Sequence, residues 1–278
     1  MRKKTIGLPG AAALCAALLL ACATAGGSLP KEDAAAQSAG DYDRAVEEYS
    51  RAIRLDPENA VAYYNRGNAY ADKGDYDRAV EDYNQAVRLD PENAAAYNNR
   101  GKAYYNKWEN DRAIEDYSRA IRLDPDYAAA YNNRGNAYYN KGDYDQAIGD
   151  YNQAIRLDPD YARAYYNRGS TYAGKGDYDR AVEDYNQAIR LDPDDAVAYN
   201  NRGNAYASKG DYDRAIEDYN WAVRLDPDDA EVYNNRGAAY ANKGDYRRAR
   251  ADWEQALRID PGDTDVQDNL EKLRQMGY

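Results

Sequence analysis

Apolar and small residues recur along most of this chain with the spacing of an α-helix. Tyr63, Gly67 and Tyr70 follow one another at intervals of four and three residues, which places them on one helix face. Ala79 and Tyr83 continue the same spacing after a short polar break. Small residues on both faces allow two helix backbones to approach closely, with the Tyr rings around the contact. The pattern predicts pairs of packed helices.

Two kinds of turn separate these helices. In Lys73-Gly74-Asp75 we expect Gly74 to end one helix in the left-handed conformation and Asp75 to cap the next helix. The second turn is a Leu-Asp-Pro sequence such as Leu89-Asp90-Pro91. Because proline has no N–H, it suits the first turn of the helix that follows.

The whole pattern repeats every 34 residues. Proline marks the period, at Pro57, Pro91, Pro125, Pro159, Pro193, Pro227 and Pro261. Self-similarity of this length is typical of stacked two-helix units. With Ala60 as position 1, the full repeats are 60–93, 94–127, 128–161, 162–195, 196–229 and 230–263, after a partial repeat at 40–59.

The last segment, 264–278, differs from the repeats. Thr264-Asp265-Val266-Gln267 fits a capping box, and Val266, Leu270 and Leu273 form an apolar stripe. We expect a terminal helix that covers the open end of the array.

The repeat resembles the tetratricopeptide repeat (TPR) over residues 40–263. That family has a bulky residue at position 4, small residues at 8, 20 and 27, aromatic residues at 11 and 24, and proline at 32. In the first full repeat these are Tyr63, Gly67, Ala79, Ala86, Tyr70, Tyr83 and Pro91. The resemblance implies an all-α, right-handed superhelical solenoid of helix-turn-helix units, used as a protein–protein interaction scaffold.

The N-terminus has the features of an export signal at residues 1–21. Arg2, Lys3 and Lys4 precede an uncharged apolar run that ends at Leu20. Leu19-Leu20-Ala21-Cys22 resembles the lipobox of bacterial lipoproteins, which implies lipidation of Cys22, a tether at 22–39 and an anchor in the cell envelope, at the outer membrane facing the periplasm. A plain secretory signal and an uncleaved membrane anchor are the alternatives.

Composition argues against catalysis and against nucleic acid. The chain has no His, and its two Cys residues lie in the N-terminal segment, so the commonest general base and the commonest metal ligands are missing from the repeats. Paired carboxylates such as Glu81-Asp82 recur in most repeats, unlike a unique active site. A net charge of −12 repels nucleic acid. We expect no enzyme activity, no cofactor and no metal, and contact with a membrane only through the N-terminal lipid.

Position 6 is Asn in every full repeat, and we call these residues the Asn column: Asn65, Asn99, Asn133, Asn167, Asn201 and Asn235. In TPR arrays this position lines the concave groove, and the column resembles the asparagine ladder in the TPR superhelix of the enzyme that adds N-acetylglucosamine to proteins. A carboxamide offers a donor and an acceptor to a peptide bond. Alternatively, each Asn bonds the neighbouring repeat, or the column records only the copying of the unit.

Position 7 is Arg in every full repeat, and position 23 is Asp. We predict an interhelical Arg–Asp pair within each repeat, with a structural role. The alternative places Arg in the groove, where it would meet acidic ligands.

A few residues break the pattern. Trp108 replaces the turn Gly and Asn110 replaces the usual Tyr, so we expect this turn to differ from the others. Trp221 occupies a position predicted to be exposed, and Trp253 replaces a core Tyr. The predicted function is a scaffold that binds a protein or peptide in its groove; the alternative is a glycan- or peptidoglycan-binding module that uses Tyr and Asn side chains.

Overall fold

The computed structural model describes the backbone of residues 31–277 and the side chains of residues 40–277. This part of the chain forms fourteen α-helices and no strand. They are α1 (Lys31–Leu55), α2 (Ala60–Asp72), α3 (Tyr76–Leu89), α4 (Ala94–Asn106), α5 (Asn110–Leu123), α6 (Ala128–Asn140), α7 (Tyr144–Leu157), α8 (Ala162–Gly174), α9 (Tyr178–Leu191), α10 (Ala196–Ser208), α11 (Tyr212–Leu225), α12 (Ala230–Asn242), α13 (Tyr246–Ile259) and α14 (Thr264–Gln275). The predicted signal peptide and Cys22 lie outside the described residues.

Each full repeat supplies a first helix of 13 residues and a second helix of 14 residues, as α2 and α3 illustrate. Every helix packs against its neighbours in sequence, and the first helices of successive repeats also touch one another. The result is the predicted all-helical superhelical solenoid, whose first helices line one side. None of the helices in 31–277 is long and apolar enough to cross a bilayer.

The core of each full repeat is an aromatic ring held against a Gly: a Tyr in five repeats and Trp253 in the last. Tyr83 and Tyr151 are each 1% exposed. A Cβ added to Gly67 would lie 2.8 Å from the Tyr83 ring, and one added to Gly135 would lie 2.6 Å from the Tyr151 ring. These distances are too short for any side chain, so the small residue at position 8 is required. The Tyr residues at positions 4 and 11, such as Tyr63 and Tyr70, are half-buried.

Both predicted turns form, but proline does not occupy the first turn of the helix that follows. Gly74 has φ 76°, and Asp75 caps α3 by accepting a hydrogen bond from the Arg78 N–H. The expectation that proline begins the next helix is wrong, because α2 starts at Ala60 and Pro57 lies in the preceding turn. The Asn59 side chain caps α2 by accepting from the Ala62 N–H, so a polar cap starts this helix instead.

The turn at Trp108 keeps the geometry of the other turns, so the prediction that it differs is wrong. Trp108 adopts the left-handed conformation, with φ 62°. Its N–H donates to the Tyr105 carbonyl at 2.9 Å, and the Glu109 N–H donates to the Tyr104 carbonyl at 2.9 Å. Gly142 and Asp143 make the same two bonds at 2.9 Å in the next repeat. The packed helices on either side therefore fix the turn even without glycine.

Helix α14 covers the C-terminal end of the array. Val266, Leu270 and Leu273 are buried in one cluster with Trp253, which confirms the terminal capping helix and the core position of Trp253. The cap residue is Asp263, whose carboxylate accepts from the Asp265 and Val266 N–H groups, and not Thr264 as the capping-box pattern indicated. The Asp263 carboxylate, one residue earlier, reaches both free N–H groups.

Candidate functional site

The groove lined by the first helices contains a cavity of about 540 Å³. We call it the groove cavity. It lies between α4 and α10, and all of its lining residues are Tyr, Asn, Ser or Ala, including Tyr139, Asn136, Asn167, Asn201 and Asn204. In a chain with 31% charged residues, this lining is notably uncharged. The cavity can offer aromatic faces, hydroxyls and carboxamides to a ligand.

The Asn column takes part in the packing of one repeat on the next. Five of its members donate their side-chain N–H2 group to position 5 of the preceding repeat. Asn133, Asn167 and Asn235 donate to the Oδ1 atoms of Asn98, Asn132 and Asn200 at 3.0, 2.9 and 3.2 Å, and Asn99 and Asn201 donate to the hydroxyls of Tyr64 and Tyr166 at 3.0 and 2.7 Å. The sixth member, Asn65, is half-buried on α2. The bond from Asn to the neighbouring repeat, one of the alternatives considered from the sequence, is thus present in five of the six full repeats.

Two members of the column also line the groove cavity. The N–H2 groups of Asn167 and Asn201 point back to the preceding repeat, while both residues contribute to the cavity wall. Each N–H2 group uses one of its two hydrogens in this bond, so the side-chain oxygen and one N–H of each residue are left for a ligand.

Position 9 supplies the complementary donors, which the sequence did not reveal. The buried Tyr151 and Tyr219 hydroxyls donate to the Oδ1 atoms of Asn136 and Asn204 at 2.8 and 2.7 Å. Within residues 40–277 the N–H2 groups of these two Asn side chains have no hydrogen-bond partner, and both residues line the groove cavity. The recurrence of Asn at position 9 opposite Tyr at position 24 was the available signal.

The Tyr at position 24 is held in its neutral form by the fold. Burial raises the pKa of Tyr185 to about 12. Its hydroxyl donates to the Ser170 Oγ at 3.1 Å, in the place that Asn occupies in other repeats. These hydroxyls therefore serve as fixed donors that orient the groove side chains.

All six predicted Arg–Asp pairs are present. In each repeat the Arg Nε and Nη2 atoms donate to the two carboxylate oxygens at 2.6–2.8 Å, in the pairs Arg66–Asp82, Arg100–Asp116, Arg134–Asp150, Arg168–Asp184, Arg202–Asp218 and Arg236–Asp252. The alternative that these Arg side chains wait in the groove for acidic ligands is wrong.

Each of these Arg residues also joins two repeats. Its Nη1 atom donates to position 25 of the preceding repeat, for example from Arg134 to Ser118 Oγ at 2.9 Å and from Arg168 to Asn152 Oδ1 at 2.5 Å. Burial alone would lower the pKa of Arg134, but the hydrogen bonds and the charge of Asp150 outweigh it and raise the pKa. Desolvation raises the pKa of Asp116 despite its bonds to Arg100. The loss of hydration is thus a real free-energy cost of forming these pairs.

A second ionic row runs along the exposed turns. The turn Lys of each repeat pairs with the Asp at position 18 of the preceding repeat, in Lys73–Asp43, Lys107–Asp77, Lys141–Asp111, Lys175–Asp145, Lys209–Asp179 and Lys243–Asp213. Because these side chains are exposed, the pairs contribute little to stability. They help to fix the position of one repeat against the next, and they add little to the free energy of folding.

Most Tyr side chains are not available as a binding surface. Tyr139 is the one Tyr in residues 40–277 that is more than about a third exposed, at 37%. Trp221 is exposed as predicted, at 48%, and stacks on Tyr199 with ring centroids 6.0 Å apart. Glycan binding by a broad Tyr surface therefore loses its main support.

The repeats match known family models. The TPR repeat model matches residues 38–74, 67–107, 109–142, 135–176, 171–210 and 203–244, and a second tetratricopeptide repeat model matches 230–263. Together these matches cover nearly all of the chain after residue 38.

Several solved structures are similar to the fold. The TPR protein YrrB, described as having an unusual peptide-binding site, is 26% identical with a TM-score of 0.59, over 69% of this chain and 99% of that one. Pseudomonas aeruginosa pilF is 20% identical with a TM-score of 0.66, over 84% and 99%. A chain of the APC/C hetero-tetramer Cut9-Hcn1 is 22% identical with a TM-score of 0.69; the match covers 84% of this chain and 46% of that one. The last two are similar in fold alone.

Proposed function

The chain belongs to the tetratricopeptide repeat family, and we propose that it is a lipid-anchored adaptor of the bacterial cell envelope that holds an extended polypeptide in its groove. The repeats make it a protein-interaction scaffold. The proposal adds two features to this scaffold: a binding site in the groove and a lipid at Cys22.

The observation that carries the groove proposal is the hydrogen-bonding chemistry of the groove cavity. Asn167 and Asn201 have acceptor oxygens left after bonding the preceding repeat, and Asn136 and Asn204 have donor N–H2 groups left after accepting from Tyr. A peptide backbone presents one donor and one acceptor at each residue. Acceptors and donors that line the same cavity suit that backbone, whatever its side chains.

The similarity to YrrB gives independent support. That protein is a TPR protein with a peptide-binding site, and it aligns with 69% of this chain. A peptide ligand is therefore consistent with a TPR array that aligns with YrrB over this length and at this sequence identity.

The groove proposal is tested with peptides selected from a display library of random 12-residue sequences, using the full chain in detergent. Asn167→Ala with Asn201→Ala, the two column members that line the groove cavity, should abolish binding of the selected peptides. The matched control, Asn152→Ala with Asn186→Ala, also removes two bonds between repeats, to Arg168 and Arg202, but lies outside the groove cavity. Equal binding by the two double variants would show that the groove is not the site.

The anchor is tested separately by labelling cells with palmitate. The wild-type chain should take up label and Cys22→Ser should not. A labelled Cys22→Ser chain would exclude the lipobox assignment and leave the groove proposal intact.

A further inference from the structure

The groove is not uniform, and its irregular residues are concentrated in two repeats. Position 12 is Tyr105 in the repeat 94–127 and Tyr139 in the repeat 128–161, whereas the other four full repeats have Ala there. Both Tyr side chains line the groove cavity. The turn that follows Tyr105 is the one that contains Trp108.

This turn breaks three local preferences at once. Trp108 has φ 62°, where the other full repeats have Gly. Glu109 occupies the cap position where the other full repeats have Asp, and, like Asp143, it makes no side-chain hydrogen bond to the helix. The Oδ1 atom of Asn110 is buried without a hydrogen-bond partner in the described part of the chain. Each feature costs stability, and such costs concentrate at functional positions.

The turn exposes the Trp108 ring to solvent at the end of α4, a helix that lines the groove. Trp108 is 78% exposed, and its N–H donates to the carbonyl of Tyr105, which lines the groove cavity. The groove cavity also reaches this edge of the solenoid at Tyr178, which begins α9 directly after its own turn. Trp108 thus follows Tyr105 in the turn that ends α4, and we call Trp108, Tyr105 and Tyr139 the aromatic edge.

We propose that this aromatic edge anchors a proline of an uncharged, extended peptide that continues along the groove cavity. The proposal rests on the proposed function and names the class of ligand. A charged side chain would lose water in a cavity whose lining holds no opposite charge. Aromatic faces suit proline, and proline-containing segments are already extended, so they lose less entropy on binding.

The first test is the composition of the selected peptides. Panning the random 12-residue library on the full chain should recover sequences enriched in proline and depleted in Asp, Glu, Lys and Arg. Recovered peptides that are charged or lack proline would overturn the ligand class. Binding of a chitin oligosaccharide that competes with every recovered peptide and depends on Trp108 would assign the edge to glycan instead.

The second test is Trp108→Gly, which installs the residue that the other repeats have. The affinity for the recovered peptides should fall by roughly tenfold or more, as at an exposed aromatic hot spot, while the melting temperature rises because Gly adopts this conformation without strain. Trp221→Gln, which also installs a residue used by other repeats, should leave affinity unchanged.

The outcomes separate the two proposals. If Trp108→Gly binds as tightly as the wild type while the Asn167 and Asn201 double variant does not bind, the groove is the site and Trp108 is a tolerated substitution. If neither change affects binding, both proposals are wrong.

Discussion

Removing one partner of a single Arg–Asp pair should destabilise the array strongly. Arg134 Nε and Nη2 donate to the two Asp150 oxygens, each at 2.7 Å, and the side chains are 20% and 8% exposed. Asp150→Ala removes both bonds and leaves a guanidinium whose remaining partner is Ser118 at 2.9 Å. Breaking a buried pair costs about 3–5 kcal/mol. Because water reaches one fifth of the Arg side chain, we expect the lower end, about 3 kcal/mol.

The control is an ion pair made by the same repeat, through Lys141, that lies in water. Asp111→Ala breaks the 2.6 Å bond from Lys141, and these side chains are 83% and 38% exposed. We expect no measurable loss of stability, because exposed pairs gain little over hydration. A double replacement of Arg134 by Met and Asp150 by Leu should recover much of the loss, since an apolar pair needs no desolvation of charge.

The assay is urea unfolding followed by circular dichroism. Repeat arrays can unfold in segments, so both the midpoint and the amplitude of each transition are compared among the three variants and the wild type. If Asp150→Ala unfolds at the same midpoint as Asp111→Ala, the buried pair does not stabilise the array more than the exposed pair does.

Two further predictions follow from Gly contacts and from Tyr burial. Gly135→Ala should cost about 1–3 kcal/mol because its Cβ would meet the Tyr151 ring at 2.6 Å, whereas Gly149→Ala in α7, with nothing within 4 Å, should stabilise by about 0.5–1 kcal/mol; a loss of similar size at both would contradict the packing account. The raised pKa of Tyr185, about 12, against about 10 in the unfolded chain, means that the fold favours the neutral phenol. Stability should be intact below pH 10 and fall toward pH 12, less steeply in Tyr185→Phe, as measured by urea midpoints; equal slopes would contradict the assignment.

The repeat made most of the fold predictable from sequence. Gly67 and Tyr83 recur with the same spacing in every full repeat, with Trp253 replacing Tyr in the last, so any arrangement that buried one such pair had to bury all of them. The Arg–Asp pairs were predictable for the same reason, since positions 7 and 23 meet between the two helices of one repeat.

The sequence-based predictions that were wrong or incomplete depend on contacts that the residue at a single position cannot reveal. The turn at Trp108 looked different because its residue differs, yet the flanking helices impose the same backbone bonds. The direction of each Asn side chain depends on position 5 of the preceding repeat, which is Asn132 below Asn167 and Tyr166 below Asn201. That neighbour is known only once the stacking of the repeats is known. The groove side chains could therefore be named from the sequence, but their free donors and acceptors could not.

Site-specific photocrosslinking in the native cell tests directly whether the groove holds a polypeptide. Tyr139, in the groove cavity and 37% exposed, is replaced by benzoylphenylalanine, and Trp221, 48% exposed and outside the cavity, is the control. We predict a protease-sensitive adduct from position 139 and none from position 221. Adducts from position 221 alone, equal adducts from both positions, or no adduct from position 139 would contradict the account.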